Sequence, residues 1–570
     1  MPQSQTNDSA TASASGVSNI HAKRLLWAGF MAILAEGVGF GVRSGILVQW
    51  AHQYGFTMTE LGEITGGGLT GFGVIIILSS LVADKIGYGT LMVGAFVLHF
   101  LSAVVTLAAG MAFASGGRAG ALHCLTIGTF LFSLGNGLCE GVANPLVASL
   151  FQKNKAHYLN ILHAGWPGGL IIGALASYFM SSGAEPVSWK IQMSLFLIPV
   201  VLYGVMLLGQ KFPKSEAREH GVKYTDMLKE LGFFGALILC FLLSIWFNDM
   251  AVGLGLPDYV GWILGTVLLI AFGAATKFSP GYLLMILLLL IHSMQGYTEL
   301  GTDSWVSKIT GAILASGQKG LLLFVYISAL MFALRFFAGP IIHKISPLGL
   351  MFASTILASV GLTMLGHSDT AAFCIAAATV YAIGKTFMWP TLLAVASEQF
   401  PKGGAITIGA MGGAGMLCAG LLGGPGIGYN QDTHATRQLM AEHPEVFQRY
   451  AADTQDTFFV FKTQGLDGAK VGVLDDNGAE LASAMKLHPD DQNNIKLNNW
   501  WNTAKGTADQ DRPIVTAAEL HGSKMAMRIT AVIPLVQAGL LLCILLYFTS
   551  KGGYKQVHIE GEGAAAHEVP

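Results

Sequence analysis

Residues 121–150 read ALHCLTIGTFLFSLGNGLCEGVANPLVASL, and this stretch decides the fold. Membrane-crossing helices need roughly 20 mostly apolar residues, and this run exceeds that length. Its single carboxylate, Glu140, stands five residues before Pro145. A charged side chain inside a span is costly, and it is usually found facing a bundle interior or a water-filled path. The run therefore predicts a membrane helix with a polar face turned toward partner helices.

Working outward, the same length criterion marks spans at 25–52, 61–83, 90–113, 121–150, 158–181, 191–210, 232–248, 259–276, 282–306, 320–343, 348–367, 371–397, 404–428 and 526–548, about fourteen in all. Composition agrees. Of 570 residues, 52% are apolar and 12% charged, and mean hydropathy is +0.55. Soluble proteins carry about 25% charged residues, so most of this surface must face lipid. A net charge of −2 gives no support to nucleic-acid binding. The six cysteines form neither a CxxC pair nor a disulfide framework. No phosphate-binding G-x-x-x-x-G-K-[ST] loop, metal-spaced His cluster or Ser/His/Asp set occurs, so neither an ATP-driven pump, an enzyme, a cofactor nor a metal is expected.

Basic residues in short loops set orientation. Lys85, Lys153, Lys211, Lys214, Arg218, Lys223, Lys277, Lys344 and Lys402 fall on one side, against Arg118, Lys190, Lys308 and Lys319 on the other. Both termini are therefore expected in the cytoplasm, with the chain in the cell (inner) membrane. Residues 1–22 read as a disordered tail, 23–210 as a first six-helix bundle, and 211–280 as a cytoplasmic linker plus two inserted spans. Residues 281–428 and 524–549 read as a second bundle, and 550–570 as a cytoplasmic tail. The polar stretch 429–523 reads as a small extracytoplasmic insertion over the outer mouth, with a helical segment at 433–452 and a hairpin turn at Asp475-Asp476-Asn477-Gly478.

The ionisable residues singled out within spans are Glu36, Arg43, Glu140, Glu299, Asp303 and Lys385, beside Arg335 near the inner end of its own span. Glu36 and Arg43 are two turns apart and share a helix face. Glu299 and Asp303 sit one turn apart near the outer end of their span, as a gate, a solvated rim or a binding pair. Asn144-Pro145 resembles Trp389-Pro390, and aligning the prolines sets Glu140 opposite Lys385 in the two halves, where transporter sites form. Ion pairs that only fix packing are the bland alternative. His163 and Trp166 are candidate substrate contacts, although a lone His and Trp on an apolar helix are more often packing residues.

The run Gly135-Asn136-Gly137-Leu138-Cys139-Glu140-Gly141-Val142-Ala143-Asn144-Pro145 looks like the fourth-helix signature G-x-G-x-x-E-x-x-x-N-P of the fucose/galactose–proton symporter family, within the major facilitator superfamily. Leu159-Asn160, Gly169, Phe56-Thr57-Met58-Thr59, Arg335-Phe336 and Pro390-Thr391 also resemble that family. Asp84-Lys85-x-Gly87 is similar to the superfamily's gating loop, with Ser80 at its leading Gly position, and Arg335 is grouped with that gate. The resemblance implies an all-α membrane protein of the major facilitator fold, a 6+6 bundle; the two extra inserted helices are read from the span count and lie outside the resemblance. It further implies proton-coupled uptake of a sugar, with Glu140 matching the residue that takes up and releases the proton; Glu36 is added as a second proton-coupling candidate, and a monomer is expected. Arg43, Lys385, Asn144, Asn160, His163, Trp166, Glu299, Asp303 and Trp389 are the substrate-binding candidates. The family carries a polar Asn and an acid on the first helix, where this chain has Arg43 and Ile46. That departure leaves room for an organic anion such as an acidic sugar. A non-transporting sensor that reports through residues 429–523 is the alternative of another class.

Overall fold

Backbone N–H and C=O groups in lipid must be satisfied within their own segment, so an apolar chain of this kind folds as helices. The computed structural model describes residues 19–54, 56, 61, 64, 68–181, 187–453, 456–458, 461–487 and 489–559. Of the Phe56–Thr59 match, residues 57–59 lie outside the described residues, as do 1–18 of the N-terminal tail and 560–570 of the C-terminal one.

Fourteen helical spans follow one another: α1 (Asn19–Tyr54), α2 (Gly68–Ile86), α3 (Tyr88–Leu107), α4 (Ala109–Leu150), α5 (Gln152–Ser181), α6 (Trp189–Leu207), α7 (Tyr224–Gly253), α8 (Val260–Thr276), α9 (Leu283–Ile313), α10 (Gly317–Arg335), α11 (Ala338–Leu365), α12 (Ala371–Gln399), α13 (Pro401–Glu442) and α14 (Ala508–Ser550). Among the described residues thirteen are long and apolar enough to cross a membrane, and α8 is a shorter apolar helix. The architecture is a 6+6 bundle, α1–α6 and α9–α14, with α7 and α8 as the extra pair.

Close helix contacts are made by glycine. A Cβ on Gly37 of α1 would meet the Trp166 carbonyl oxygen at 2.3 Å, and one on Gly169 of α5 would meet that of Leu34 at 2.1 Å. Gly165, Gly169 and Gly173 recur every fourth residue on the α5 face that meets α1, as expected where small residues bring membrane helices together. Across the halves, α2 lies along α13, and α5 meets α10 and α12.

Several boundaries differ from the sequence reading. The expected span 320–343 stops at Arg335, and a new helix starts at Ala338. His343 and Lys344 thus lie inside a helix rather than a loop. That helix kinks at Ser346 (φ 64°), whose helical conformation Pro347 disfavours. The loop before the fourth span is also helical, from Ala109 to a kink at Gly117.

Residues 429–523 include the polar ends of α13 and α14, which run on beyond the apolar zone and pack on each other. On this stalk sit short helices Pro444–Tyr450, Gly468–Asp475, Ala479–Leu487 and Gln492–Ala504, with an antiparallel pair β1 (Asp456–Phe458) and β2 (Phe461–Thr463). Leu439, Phe447, Tyr450, Leu474 and Val515 form a separate apolar core there, with Trp500 and Trp501 against it. Asp511 accepts two bonds from Arg449, at 2.6 and 2.9 Å. The Asp475–Gly478 turn joins two helices and is not a hairpin. Asn477 and Gly478 take positive φ (58° and 78°), and Asp476 caps the next helix through Glu480 N–H.

Candidate functional site

Two prolines build the centre of the site. A proline has no N–H to offer the carbonyl four residues earlier, so Pro167 releases the carbonyl of His163 and Pro390 that of Thr386. Helix α5 is accordingly broken at Ala164 and α12 at Thr386. Arg335, at the end of α10, takes both freed oxygens: Nη1 donates to His163 O at 2.6 Å and Nε to Thr386 O at 2.8 Å. Its third arm, Nη2, reaches Glu299 Oε1 at 3.1 Å. A single guanidinium therefore joins the two halves, and it is 1% exposed. Its hydrogen-bond and ion-pair partners are these three groups and not the Asp84–Gly87 loop with which the sequence reading groups it.

Glu140 lies on the α1–α6 side of this clasp. Asn144 Nδ2 donates to Glu140 Oε2 at 2.6 Å, and His163 Nε2 donates to Asn144 Oδ1 at 2.8 Å. The other ring nitrogen of His163, Nδ1, faces Glu140 Oε1 at 3.8 Å. Arg335 is within electrostatic reach of Glu140. Among the described residues, Glu140 has no Lys or Arg at ion-pair distance.

In the second half the acids are paired. Gln295 Nε2 donates to Glu299 Oε2 at 2.8 Å, and Lys385 pairs with Asp303. Glu299 is buried in the middle of α9, not near its end, because that helix continues to Ile313. It sits in a π-helical turn, Tyr297–Gly301, facing a second one at Ala419–Gly423. Such turns recur at functional sites. The expected juxtaposition of Glu140 and Lys385 is replaced by two local arrangements, Glu140–Asn144–His163 and Lys385–Asp303. Asp303, one turn from Glu299, was nearer to Lys385 than the proline alignment allowed for.

Asn160 bridges the halves, donating to Thr391 Oγ1 at 3.1 Å, and keeps an unpartnered Oδ1. Trp389 stands against His292, with ring centroids 4.4 Å apart. Among the described residues, the fully buried His292 has both ring nitrogens unpartnered, and Trp166 Nε1 is likewise unpartnered. An unsatisfied buried polar group costs free energy, so these atoms are ready acceptors and donors for a solute. Sequence reasoning missed His292 and Gln295. A mid-span imidazole was the available signal.

Arg43 is not part of this centre. Its guanidinium lies 3.9 Å from the Phe132 ring centroid and donates to Ser102 Oγ at 3.0 Å, inside the first half. The shared face of Glu36 and Arg43 points to α3, α4 and α6, so Arg43, named as a substrate-binding candidate, is turned into the first half. Glu36 is fully buried beside Cys139, within electrostatic reach of Glu140. No nitrogen or oxygen donor reaches its carboxylate among the described residues.

On the face bearing the termini the halves are sealed. Asp84 Oδ2 accepts from Ala405 N at 3.2 Å, at the start of a helical segment of α13, and Lys85 lies 3.8 Å from the Tyr224 ring centroid. Gly87 takes φ 96°, which lets α3 begin at once. Lys155 donates to Ser397 O at 3.1 Å and pairs with Glu216 at 3.5 Å. Among the described residues no group of three or more His, Cys, Asp and Glu is arranged for a metal ion.

The sequence model of the Major Facilitator Superfamily matches residues 25–426, well over half of the chain. The chain belongs to this superfamily of membrane transporters. No curated protein sequence matches it. Among solved structures, the proton:xylose symporter XylE bound to 6-bromo-6-deoxy-D-glucose is similar over 74% of this chain and 90% of its own, at 14% identity and TM-score 0.54. The fucose:proton symporter FucP of E. coli is similar over 72% and 91%, at 15% identity and TM-score 0.50. The human organic anion transporter MFSD10 (TETRAN) is similar over 91% and 99%, at 12% identity and TM-score 0.53. At these identities the likeness is one of fold.

Proposed function

We propose that this transporter couples proton movement to passage of a small neutral polyhydroxylated solute, by alternating access of its two six-helix halves. The halves are taken as residues 23–210 and 281–428 with 524–549; 211–280 is then linker plus extra helices, and both termini are cytoplasmic. The observation that carries this reading is the charge imbalance at the centre. Glu299 and Asp303 each have a cation, whereas Glu140 has only neutral Asn144 and His163. An unpaired buried carboxylate is costly, and a proton removes its charge. With Glu140 protonated, Arg335 belongs to Glu299 and the two carbonyls. With Glu140 ionised, it competes for Arg335 and loosens the clasp between the halves. Protonation and separation of the halves are thereby linked. Glu36, close to Glu140 and without a nitrogen or oxygen donor among the described residues, is the second candidate proton carrier.

A neutral solute follows from what is left unpaired. Both central cations are already matched by acids, while the open atoms are neutral: Asn160 Oδ1, Trp166 Nε1 and the His292 ring nitrogens. The Trp389 face beside His292 suits the apolar side of a sugar ring, and hydroxyls suit the polar atoms. The symporters of similar fold, for xylose and fucose, lend support.

Proteoliposomes with an imposed pH gradient test this after a sugar and sugar-acid screen has supplied a solute. Glu140→Gln should keep counterflow exchange but lose accumulation. Intact accumulation in that variant sinks the coupling assignment. A second reading, an organic anion, is favoured by the partial exposure of Asp303, the carboxylate that an incoming anion would replace on Lys385. In that case Lys385→Met abolishes binding of the sugar acid; for a neutral sugar it does not.

A further inference from the structure

The stalk and head at 429–523 are built on one half and reach the other. The stalk consists of the ends of α13 and α14, so it is continuous with helices of the second half. Bonds within the second half fix the roots of these two helices. Trp305 Nε1 of α9 donates to Gly424 O at 2.9 Å, Arg528 Nε donates to Gly366 O at 2.7 Å, and Lys524 pairs with Asp369 in the α11–α12 connection. A Cβ on Gly426 would meet Tyr297 Oη at 2.6 Å and Phe458 of β1 at 3.0 Å. The Phe458 ring of β1 and the Tyr297 hydroxyl of the π-helical turn thus meet at the same Gly426 backbone.

The connection to the first half has a different character. Arg118, one residue after the Gly117 kink in α4, donates from Nη1 to Asp491 Oδ2 at 2.9 Å. Among the described residues this is the single ion pair between the head and α1–α6. Asp491 is held in position because Oδ1 also caps helix Gln492–Ala504, accepting from Asn493 N at 2.9 Å and Asn494 N at 3.1 Å. Arg118 is one-third exposed, so water can replace its partner when the halves part. The pair is closed while the opposite face is sealed by Lys155–Ser397 and Asp84–Ala405.

We propose that residues 429–523 form a cap carried by the second half and latched to the first through Arg118–Asp491, and that this latch opens each time the termini face opens. This rests on the alternating-access reading above. Rigid helices α13 and α14 act as the lever. Any rocking of the halves moves the head relative to Arg118, and holding that contact holds the seal on the far side.

The test uses the full chain with its six cysteines replaced, carrying Arg118→Cys and Asp491→Cys joined by a reducible bis-thiosulfonate linker of arginine length. Hydrogen–deuterium exchange is read on the peptides covering 152–160 and 397–405, which need no solute. The linked protein should exchange at least tenfold more slowly there, with full recovery on reduction. The same linker at Asp369→Cys and Lys524→Cys, both within the second half, should change nothing. If linked and reduced proteins show equal exchange, faster than global unfolding, the halves alternate without the latch and the cap proposal is overturned. If the peptides exchange only by global unfolding in both forms, the alternation beneath it is overturned as well.

Discussion

Arg335 gains its role from residues that do not touch its charge. Pro167 and Pro390 leave carbonyls on opposite halves open, and the guanidinium is the donor that fills both. Hydrogen bonds to charged groups contribute about 1.5–3 kcal/mol, so competition for one of those oxygens changes the joining of the halves roughly tenfold or more. Pro167→Ala supplies a backbone donor for the His163 carbonyl. The new amide at position 167 should be protected from exchange, and uptake should fall while helix content by circular dichroism stays the same. A fast-exchanging amide with unaltered uptake would mean that Arg335 keeps the oxygen. Glu140 was legible from its setting in G-x-G-x-x-E-x-x-x-N-P, and Asn144 with it. Arg335 was not, because its meaning depends on carbonyls 172 and 51 residues away in sequence.

At the scale of helices, α9 and α13 touch through backbone. A Cβ on Gly296 would lie 1.9 Å from the Gly415 carbonyl oxygen, and Gly415 in turn is packed by Trp389 and His292. Gly301 and Gly423 repeat the contact inside the two π-helical turns. Gly296→Ala must separate these helices, and overpacking of this kind costs about 1–3 kcal/mol. Thermal unfolding in detergent should show a clear drop in Tm. Gly539→Ala on α14, with nothing within 4 Å, should leave Tm level or slightly higher, since Ala is the better helix former. Equal Tm changes for the two would contradict the tight α9–α13 contact. Span positions were readable from apolar length alone. The breaks in α5, the stop at Arg335 and the kink at Ser346 were not, because an apolar run does not reveal where a helix pauses within it.

For the whole molecule, the chain after α14 folds back across the termini face. Tyr554 Oη donates to Glu398 Oε2 at 2.7 Å, Val557 N to Glu398 O at 2.9 Å, and Gln556 Nε2 to Gln152 O at 2.9 Å. It therefore spans both halves beside the Lys155 contact. Burial and the adjacent Glu398 push the Tyr554 phenol well above its ordinary range, so it stays a neutral donor at physiological pH. Tyr554→Phe removes a bond to a carboxylate of about 1.5–3 kcal/mol. Exchange of the 397–405 peptide should then rise roughly tenfold, and no rise would show that this segment does not brace the seal.

Composition, apolar run lengths and the Glu140 signature were enough to determine a many-helix transporter with polar groups in its interior. Lipid imposes one local requirement on every span, and a linear pattern can record it. Only tertiary structure decided which charges meet. It gave Lys385 to Asp303, turned Arg43 onto Phe132 within one half, and brought Arg335 to the centre. Partner choice among buried charges is set by helix rotation and by carbonyls freed at breaks, both of which depend on contacts between residues distant in the chain.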